Sequence, residues 1–458
     1  MVQNQSQKTT KRDMTKGEIV PHIMRMTLPM TIGIGAIICV SLVDTYFVSL
    51  LGSGPLTAMG YAFPVITLFF NMIFGMAIAM SAVVSRKIGA QKTEEVKETV
   101  IVGLTSILIL TAILAFAFLT ISDTLFAAMG ADALTRDLIH EYMDIWFIGA
   151  IFLGIPVVAN SAIRGAGDSV SPAVVMTTIA VVNLILDPIL IFGFMGIPAM
   201  GLAGAAWATV IAYIAGAVTS LAILWIKEKL IHFYPLLCRE SWKRSLKALF
   251  IIAIPVSLAN IITPLVAYGY TTILSGIGDD AVAGFGVVTR VEAFALIPIM
   301  ALAGGIAPLI GQNYGAGFSD RVEEAIRKAM KFSIVYGIGC AVFLGVFSYA
   351  IAMMFSDDQD IRSFITHYLI YVPISLIGLS IFLVVTSAMN AMEQPKISLV
   401  LNIVRAFVLA LPLAWLMTVY YGEAGFLWSI IITNALSFIM AVICIKRLDC
   451  FQSLKTLI

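Results

Sequence analysis

The chain has 458 residues, of which 60% are hydrophobic and 12% charged, with a formal net charge of +1 and a mean hydropathy of +0.99. A water-soluble globule of this composition would leave large apolar areas exposed, so the chain belongs in a bilayer. The basic residues form no patch interleaved with aromatics, which excludes a nucleic-acid partner.

The first 20 residues are polar and lead straight into an apolar run too long for a signal h-region, with no small-residue cleavage site. They read as a cytoplasmic tail. Apolar runs of about 20 residues, the length that crosses the hydrocarbon core as a helix, then fall at 24–50, 56–85, 97–120, 139–163, 171–193 and 200–226. A polar connection at 227–245 follows, carrying Lys227, Lys229, Arg239, Lys243 and Arg244 beside Phe233, Tyr234 and Trp242, a composition suited to an anionic leaflet. Six more runs lie at 246–275, 281–311, 326–350, 363–389, 396–418 and 423–445. The expected fold is an all-α integral membrane protein of twelve transmembrane helices, with an N-lobe at 21–226, a linker at 227–245, a C-lobe at 246–445 and a C-terminal tail at 446–458.

An internal repeat supports this division. At an offset of 226 residues, Pro29 falls on Pro255, Gly52 on Gly278, Gly89-Ala90 on Gly315-Ala316, Tyr142 on Tyr368 and Ser161-Ala162 on Ser387-Ala388. After one short deletion Gly201 meets Gly422, Ala203-Gly204 meets Ala424-Gly425 and Trp207 meets Trp428. Six crossings per copy return the chain to its starting side, so the lobes are expected to be related by a pseudo-two-fold axis along the membrane normal. The copies differ where chemistry is concerned: Asp44 lands on Tyr270.

Lys and Arg enrich loops that stay on the cytoplasmic side, and 24 of the 28 lie in the terminal segments and every second loop, while Arg136 and Arg362 alone occupy the opposite loops. Both termini are therefore expected in the cytoplasm, in a multi-pass inner-membrane protein. No signal for an oligomer stands out, and a monomer is expected. Cys39, Cys238, Cys340, Cys444 and Cys450, like His22, His140, His232 and His367, show no metal-ligand spacing; neither a metal nor a cofactor is expected. No phosphate-cradling glycine loop is present, so uphill transport must draw on an ion gradient. An enzyme would need a nucleophile and base or a metal cluster at membrane depth, and none is visible.

Charges inside transmembrane helices are expensive and mark function by default. Asp44 lies in the first helix and Asp187 in the fifth, both in the first copy. Asn183 and Asp187 are four apart and share a helix face. Two close carboxyls in a poorly hydrated pocket hold one proton between them, which describes a loadable proton site; the same oxygens with Thr209 also suit a small cation. The bland alternative is that the acids only bridge helices. Pro29, in the first helix, weakens the helical ladder there and is either a hinge or a static kink. In the second copy Arg290 and Glu292 on helix eight and Arg405 on helix eleven are expected to form ion pairs, either between helices or with substrate. The abundant Met and Phe residues suit a promiscuous cavity or plain packing.

Taken together, Val43-Asp44-Thr45 through Gly52, Ser85-Arg-Lys-Ile-Gly89-Ala90, Arg164-Gly-Ala-Gly167-Asp168, Asn183 through Pro188, Gly201 through Thr209 and Gly311-Gln312-Asn313 through Gly317 resemble the MATE family of multidrug and toxic compound extrusion transporters over nearly the full length. The resemblance implies two six-helix lobes and export of amphiphilic or cationic drugs and toxins driven by protons or sodium ions. It also implies an N-lobe cation site of Asp44, Asn183, Asp187 and Thr209, a cavity lined by Tyr142 and Asn160, and bending of the first helix at Pro29. The NorM-like branch carries acids on helices seven and ten, whereas 246–278 and 361–392 hold no Asp or Glu; the pattern is more similar to the DinF-like branch, which favours protons. A related alternative, a flippase for lipid-linked oligosaccharides, predicts more basic residues at depth than Arg290 and Arg405.

Overall fold

The structure is a computed structural model that describes residues 13–194, 196–231 and 239–447. Cys238, Cys450, His232, Phe233, Tyr234 and most of both expected tails lie outside the described residues. Among those described, every regular element is helical. In chain order come α1 (Ile19–Ser49), α2 (Ser53–Gly89), α3 (Thr93–Ala128), α4 (Ala133–Gly165), α5 (Val170–Phe192) and α6 (Gly201–Lys227). Next come α7 (Arg239–Ser275), α8 (Asp279–Gly315), α9 (Ser319–Phe355) and α10 (Gln359–Ala391).

The final helical stretch, Pro395–Arg447, runs for 53 residues, roughly 80 Å at 1.5 Å per residue, far beyond a hydrocarbon core of about 30 Å. It breaks at Gly422, where φ is 59° and ψ −138°, a conformation open essentially to glycine alone. The stretch is therefore two crossings, α11 (395–421) and α12 (423–447), and the twelve expected helices are all present. The counterpart Gly201 also has positive φ, +56°, and opens α6 after the non-helical residues 193–194 and 196–200. The second copy turns at the same glycine without that segment, which is the physical content of the short deletion in the repeat.

Close helix contact depends on small residues where backbones meet. A Cβ on Gly204 would stand 2.4 Å from the Leu190 carbonyl oxygen, and one on the matching Gly425 would stand 2.0 Å from that of Met417. The Gly-x-x-Gly signature shared by the copies thus turns the backbone at its first glycine and seats α6 on α5, or α12 on α11, at its second. Helix starts are fixed by side chains that satisfy free backbone donors: Asp132 accepts from the Thr135 N–H at the start of α4, and Asp358 accepts from Asp360 and Ile361 at the start of α10.

The chain separates into two compact units, Pro29–Ser257 on one hand and Met1–Leu28 with Leu258–Ile458 on the other. The divisions fall inside α1, beside Pro29, and inside α7, three residues after Pro255, rather than in the polar connections. In the first unit, Phe69, Phe126, Trp146 and Phe147 are fully buried, and the beginning of α7 belongs to it: Ser257 Oγ donates to the Met72 carbonyl at 2.9 Å. In the second, Met14, Ile19, Ile23 and Met26 share a core with Leu302, Phe382 and Met389. The Met14 N–H donates to Gln312 Oε1 at 3.2 Å, and its carbonyl accepts from Asn313 Nδ2 at 3.1 Å and Arg321 Nη2 at 3.3 Å. The Gly311-Gln312-Asn313 motif is thereby explained as an anchor for the chain ahead of α1.

Candidate functional site

Within the first unit, Asp44 and Asp187 each stand five residues before the C-terminal end of their helices, α1 and α5. Equal depth brings their carboxyls within reach of each other's charge. Asn183, one turn before Asp187, donates from Nδ2 to Asp187 Oδ1 at 3.0 Å, the contact that i, i+4 spacing predicts. Asp187 is fully buried. Its Oδ2, like Asp44 Oδ1, is shut from solvent and has no hydrogen-bond partner. Two buried carboxyl oxygens without donors are an incomplete arrangement, since buried polar atoms are almost always satisfied.

Tyr142, nine residues into α4, and Thr209, eight residues into α6, meet at comparable depth. The Tyr142 hydroxyl faces Thr209 and lies within the fields of both acids. Thr209 Oγ1 also donates to the Ala205 carbonyl at 3.1 Å. Asn160 is buried with an unpartnered Oδ1, but it follows Tyr142 on α4 by five helical turns, roughly 27 Å along the axis, and it is not beside the acids. Tyr213 is a member that the sequence reading missed: it lies within the field of Asp44 and faces the Trp146 indole. Pro29 sits at the unit boundary.

The second unit holds a polar pocket too, but the expected ion pairs are not there. Arg290 is exposed and two residues from Glu292, a spacing that points side chains to different sides of a helix. No Glu292 oxygen approaches an Arg405 nitrogen within 4.0 Å. Each charge instead has a neutral neighbour: the Tyr368 hydroxyl faces Glu292, while Arg405 Nη2 donates to Asn434 Oδ1 at 3.2 Å and its guanidinium lies 5.5 Å from the centre of the Phe382 ring. Asn434 is oriented by Ser375, to which its Nδ2 donates at 2.9 Å. Tyr270 lies within the fields of both Glu292 and Arg405. Arg405 belongs to a π-helical stretch, Val404–Ala410, and such bulges concentrate at functional sites. An apolar cavity of about 660 Å³ is lined by Val291, Phe294, Tyr336, Cys340 and Phe343, without Glu292 or Arg405 in its wall.

The two pockets correspond through the repeat: Tyr270 takes the place of Asp44, Tyr368 that of Tyr142, and Asn434, in the register that aligns Trp428 with Trp207, that of Tyr213. Carrying the first pocket through that register was the signal that would have found Tyr270, Tyr368 and Asn434. Among the described residues no cluster of three His, Cys, Asp or Glu side chains is placed to hold a metal ion.

Twelve apolar crossings around buried polar pockets are the frame of a polytopic membrane transporter, and comparison with known proteins makes the assignment specific. The MatE family profile matches residues 29–189 and again 255–416, two segments whose starts are separated by the repeat offset. The chain is 35% identical over 417 residues to a FAD transporter of Shewanella oneidensis, covering 90% of this chain and 91% of that protein. It is 25% identical to the multidrug export protein MepA of Staphylococcus aureus, covering 94% and 95%. Its fold is similar to that of the Vibrio cholerae MATE transporter VcmN in the bent form, with a TM-score of 0.89, 28% identity and coverage of 94% and 96%. A multidrug resistance MATE transporter in an outward-facing conformation matches with a TM-score of 0.87, 25% identity and coverage of 94% and 96%. The chain belongs to the MATE family.

Proposed function

We propose that the chain is an ion-coupled exporter in which the Asp44, Asn183 and Asp187 cluster, with Thr209 and Tyr142 beside it, takes up a proton, or a sodium ion, and thereby drives the release of an amphiphilic cargo. The observation that carries this reading is the pair of buried, donor-less carboxyl oxygens on Asp44 and Asp187. A proton on a carboxyl, or a cation among these oxygens, relieves that deficit, and cargo release follows if ion and cargo favour opposite conformations. What supports a hinge at Pro29 is that the boundary between the units runs between Leu28 and Pro29. The setting proposed is an inner membrane with both termini in the cytoplasm, a monomer acting on small drugs or toxins.

The test is Asp44→Asn in proteoliposomes. This variant keeps size and hydrogen-bonding capacity but cannot change charge, so cargo, tested as both ethidium and FMN, should still bind while gradient-driven efflux of whichever is exported falls to background. Full efflux by the variant would refute the coupling role. Comparing efflux with and without sodium at fixed pH, and with a protonophore, identifies the ion.

A second reading concerns cargo alone. The relative that matches at 35% is a transporter of FAD, against 25% for the drug exporter, which supports a flavin nucleotide over a cationic drug. The flippase alternative has weaker support, because Arg290 is exposed and Arg405 alone supplies positive charge to the second pocket.

A further inference from the structure

We infer that Arg405 is the anion-recognition residue of a cargo subsite in the second unit, and that its ligand is a flat aromatic amphiphile bearing a phosphate or carboxylate group. The inference rests on the export reading above and names the cargo class for it.

Three observations point the same way. The Arg405 Nε is buried without a hydrogen-bond partner, although Nη2 is held by Asn434 at 3.2 Å and the planar group by the Phe382 ring. The guanidinium is thus fixed in orientation with part of its donor fork unused, and that fork matches a phosphate or carboxylate bidentately. Secondly, Glu292 supplies a counter-charge without closing the site. A structural ion pair at this depth would be in direct contact, but no N···O approach within 4.0 Å exists, and Tyr368 faces the carboxylate instead. Glu292 and Arg405 each retain some exposed surface, although the Arg405 Nε itself is shut from solvent. Finally, the pocket occupies the repeat position of the acid pocket with tyrosine in place of the helix-one carboxyl. That exchange leaves Glu292 as the one carboxylate of the cluster and adds an aromatic face beside the guanidinium.

FMN and riboflavin share one ring system and differ by a phosphate, which isolates the charge. Their affinities for the purified full-length protein in detergent can be measured from quenching of flavin fluorescence, for the unmodified protein, Arg405→Gln and Arg405→Lys. The expected result is at least a tenfold preference for FMN in the unmodified protein, the size of one strong charge-assisted contact. Arg405→Gln should bring the preference to within about twofold while leaving riboflavin affinity unchanged, which also shows that the variant is folded. Arg405→Lys, which keeps charge but loses the planar fork, should fall between. No preference in the unmodified protein, a preference that survives Arg405→Gln, or equal loss of both flavins in that variant would overturn the assignment. Abolition of FMN binding by phosphatidylglycerol but not by phosphatidylcholine would also overturn it, by giving the subsite to a lipid headgroup. Because the readout is equilibrium binding, it is independent of Asp44→Asn efflux: coupling can fail with the phosphate preference intact, and the reverse.

Discussion

Substituting Gly204 by alanine puts a methyl group 2.4 Å from the carbonyl oxygen of Leu190 and 2.9 Å from the N of Ile191, against an ordinary contact of 3.4 Å or more. Both neighbours are backbone, so no rotamer change relieves the clash, and α6 must move about 1 Å from α5. Overpacking of this kind costs about 1–3 kcal/mol. The Leu190 carbonyl also accepts from the Met200 N–H at 2.9 Å, a bond worth about 1 kcal/mol that the shift strains. The intrinsic helix gain of alanine over glycine returns about 0.5–1 kcal/mol. The net loss is about 2 kcal/mol, which for a unit of this size lowers Tm by roughly 4–8 °C. Gly60, inside α2, is the control: a Cβ there meets nothing within 4 Å, so Gly60→Ala should leave Tm unchanged or raise it. Leu190 is one turn from Asp187, so export by Gly204→Ala should also drop several-fold as the acid is displaced. Thermal melts of purified protein and initial export rates from proteoliposomes measure both effects. A Gly204→Ala protein as stable and active as the original, or a Gly60→Ala protein equally impaired, would refute the close-contact reasoning.

Gly422→Ala tests strain rather than space, since no atom lies within 4 Å of its Cβ position while its backbone is in a glycine-only region; melts should show a loss of about 1–3 kcal/mol. Asp168, between α4 and α5, gives a pH prediction. Burial alone would raise its carboxyl, but hydrogen bonds from Lys227 at 2.7 Å and from the Ser171 hydroxyl and N–H outweigh burial and hold it below the usual carboxylate range. A depressed folded-state value means the stabilisation is complete above the unfolded value of ~3.9 and is lost as pH falls through the folded one. Lys227→Met should therefore be destabilised by about 1–3 kcal/mol at pH 7 and pH 5 alike, with the gap closing only below about pH 4; a gap that closes near pH 6 would contradict the assignment.

The crossings were legible because hydropathy and length alone define them, and the repeat supplied their pairing. Hydropathy did not reveal that the units divide inside α1 and α7, because that depends on which core each half-helix joins: Met26 packs with Leu302 and Phe382, a tertiary choice invisible in a run of apolar residues. The Asn183–Asp187 contact was legible as a local helical spacing, and Asp44 joined it through equal depth. The expected pairing of Arg290 and Glu292 failed on the same local rule, since residues two apart diverge around the helix. Tyr270 and Tyr368 stood in the repeat register but not among the expected site residues, and Asn434 was missed altogether, because neutral side chains in apolar helices look like packing.

The duplication gives the proposed coupling site and the proposed anion subsite separate frames. A guanidinium hydrogen-bonded to either acid of the first unit would occupy the oxygens that stand open on Asp44 and Asp187. The repeat supplies two backbone frames of the same design, seen in the matched Gly201 and Gly422 turns and the matched Gly204 and Gly425 contacts. The same frame carries Asp44 in one copy and Tyr270 in the other. With the acids in the unit Pro29–Ser257 and Arg405 in the other, each charge keeps its reactive atoms unpaired: Asp44 Oδ1 and Asp187 Oδ2 on one side, Arg405 Nε on the other. Moving the arginine into the acid pocket, as Tyr213→Arg with Arg405→Gln, should accordingly satisfy the carboxyls internally and abolish ion-driven export, whereas either pocket altered conservatively by itself should lose only its own function.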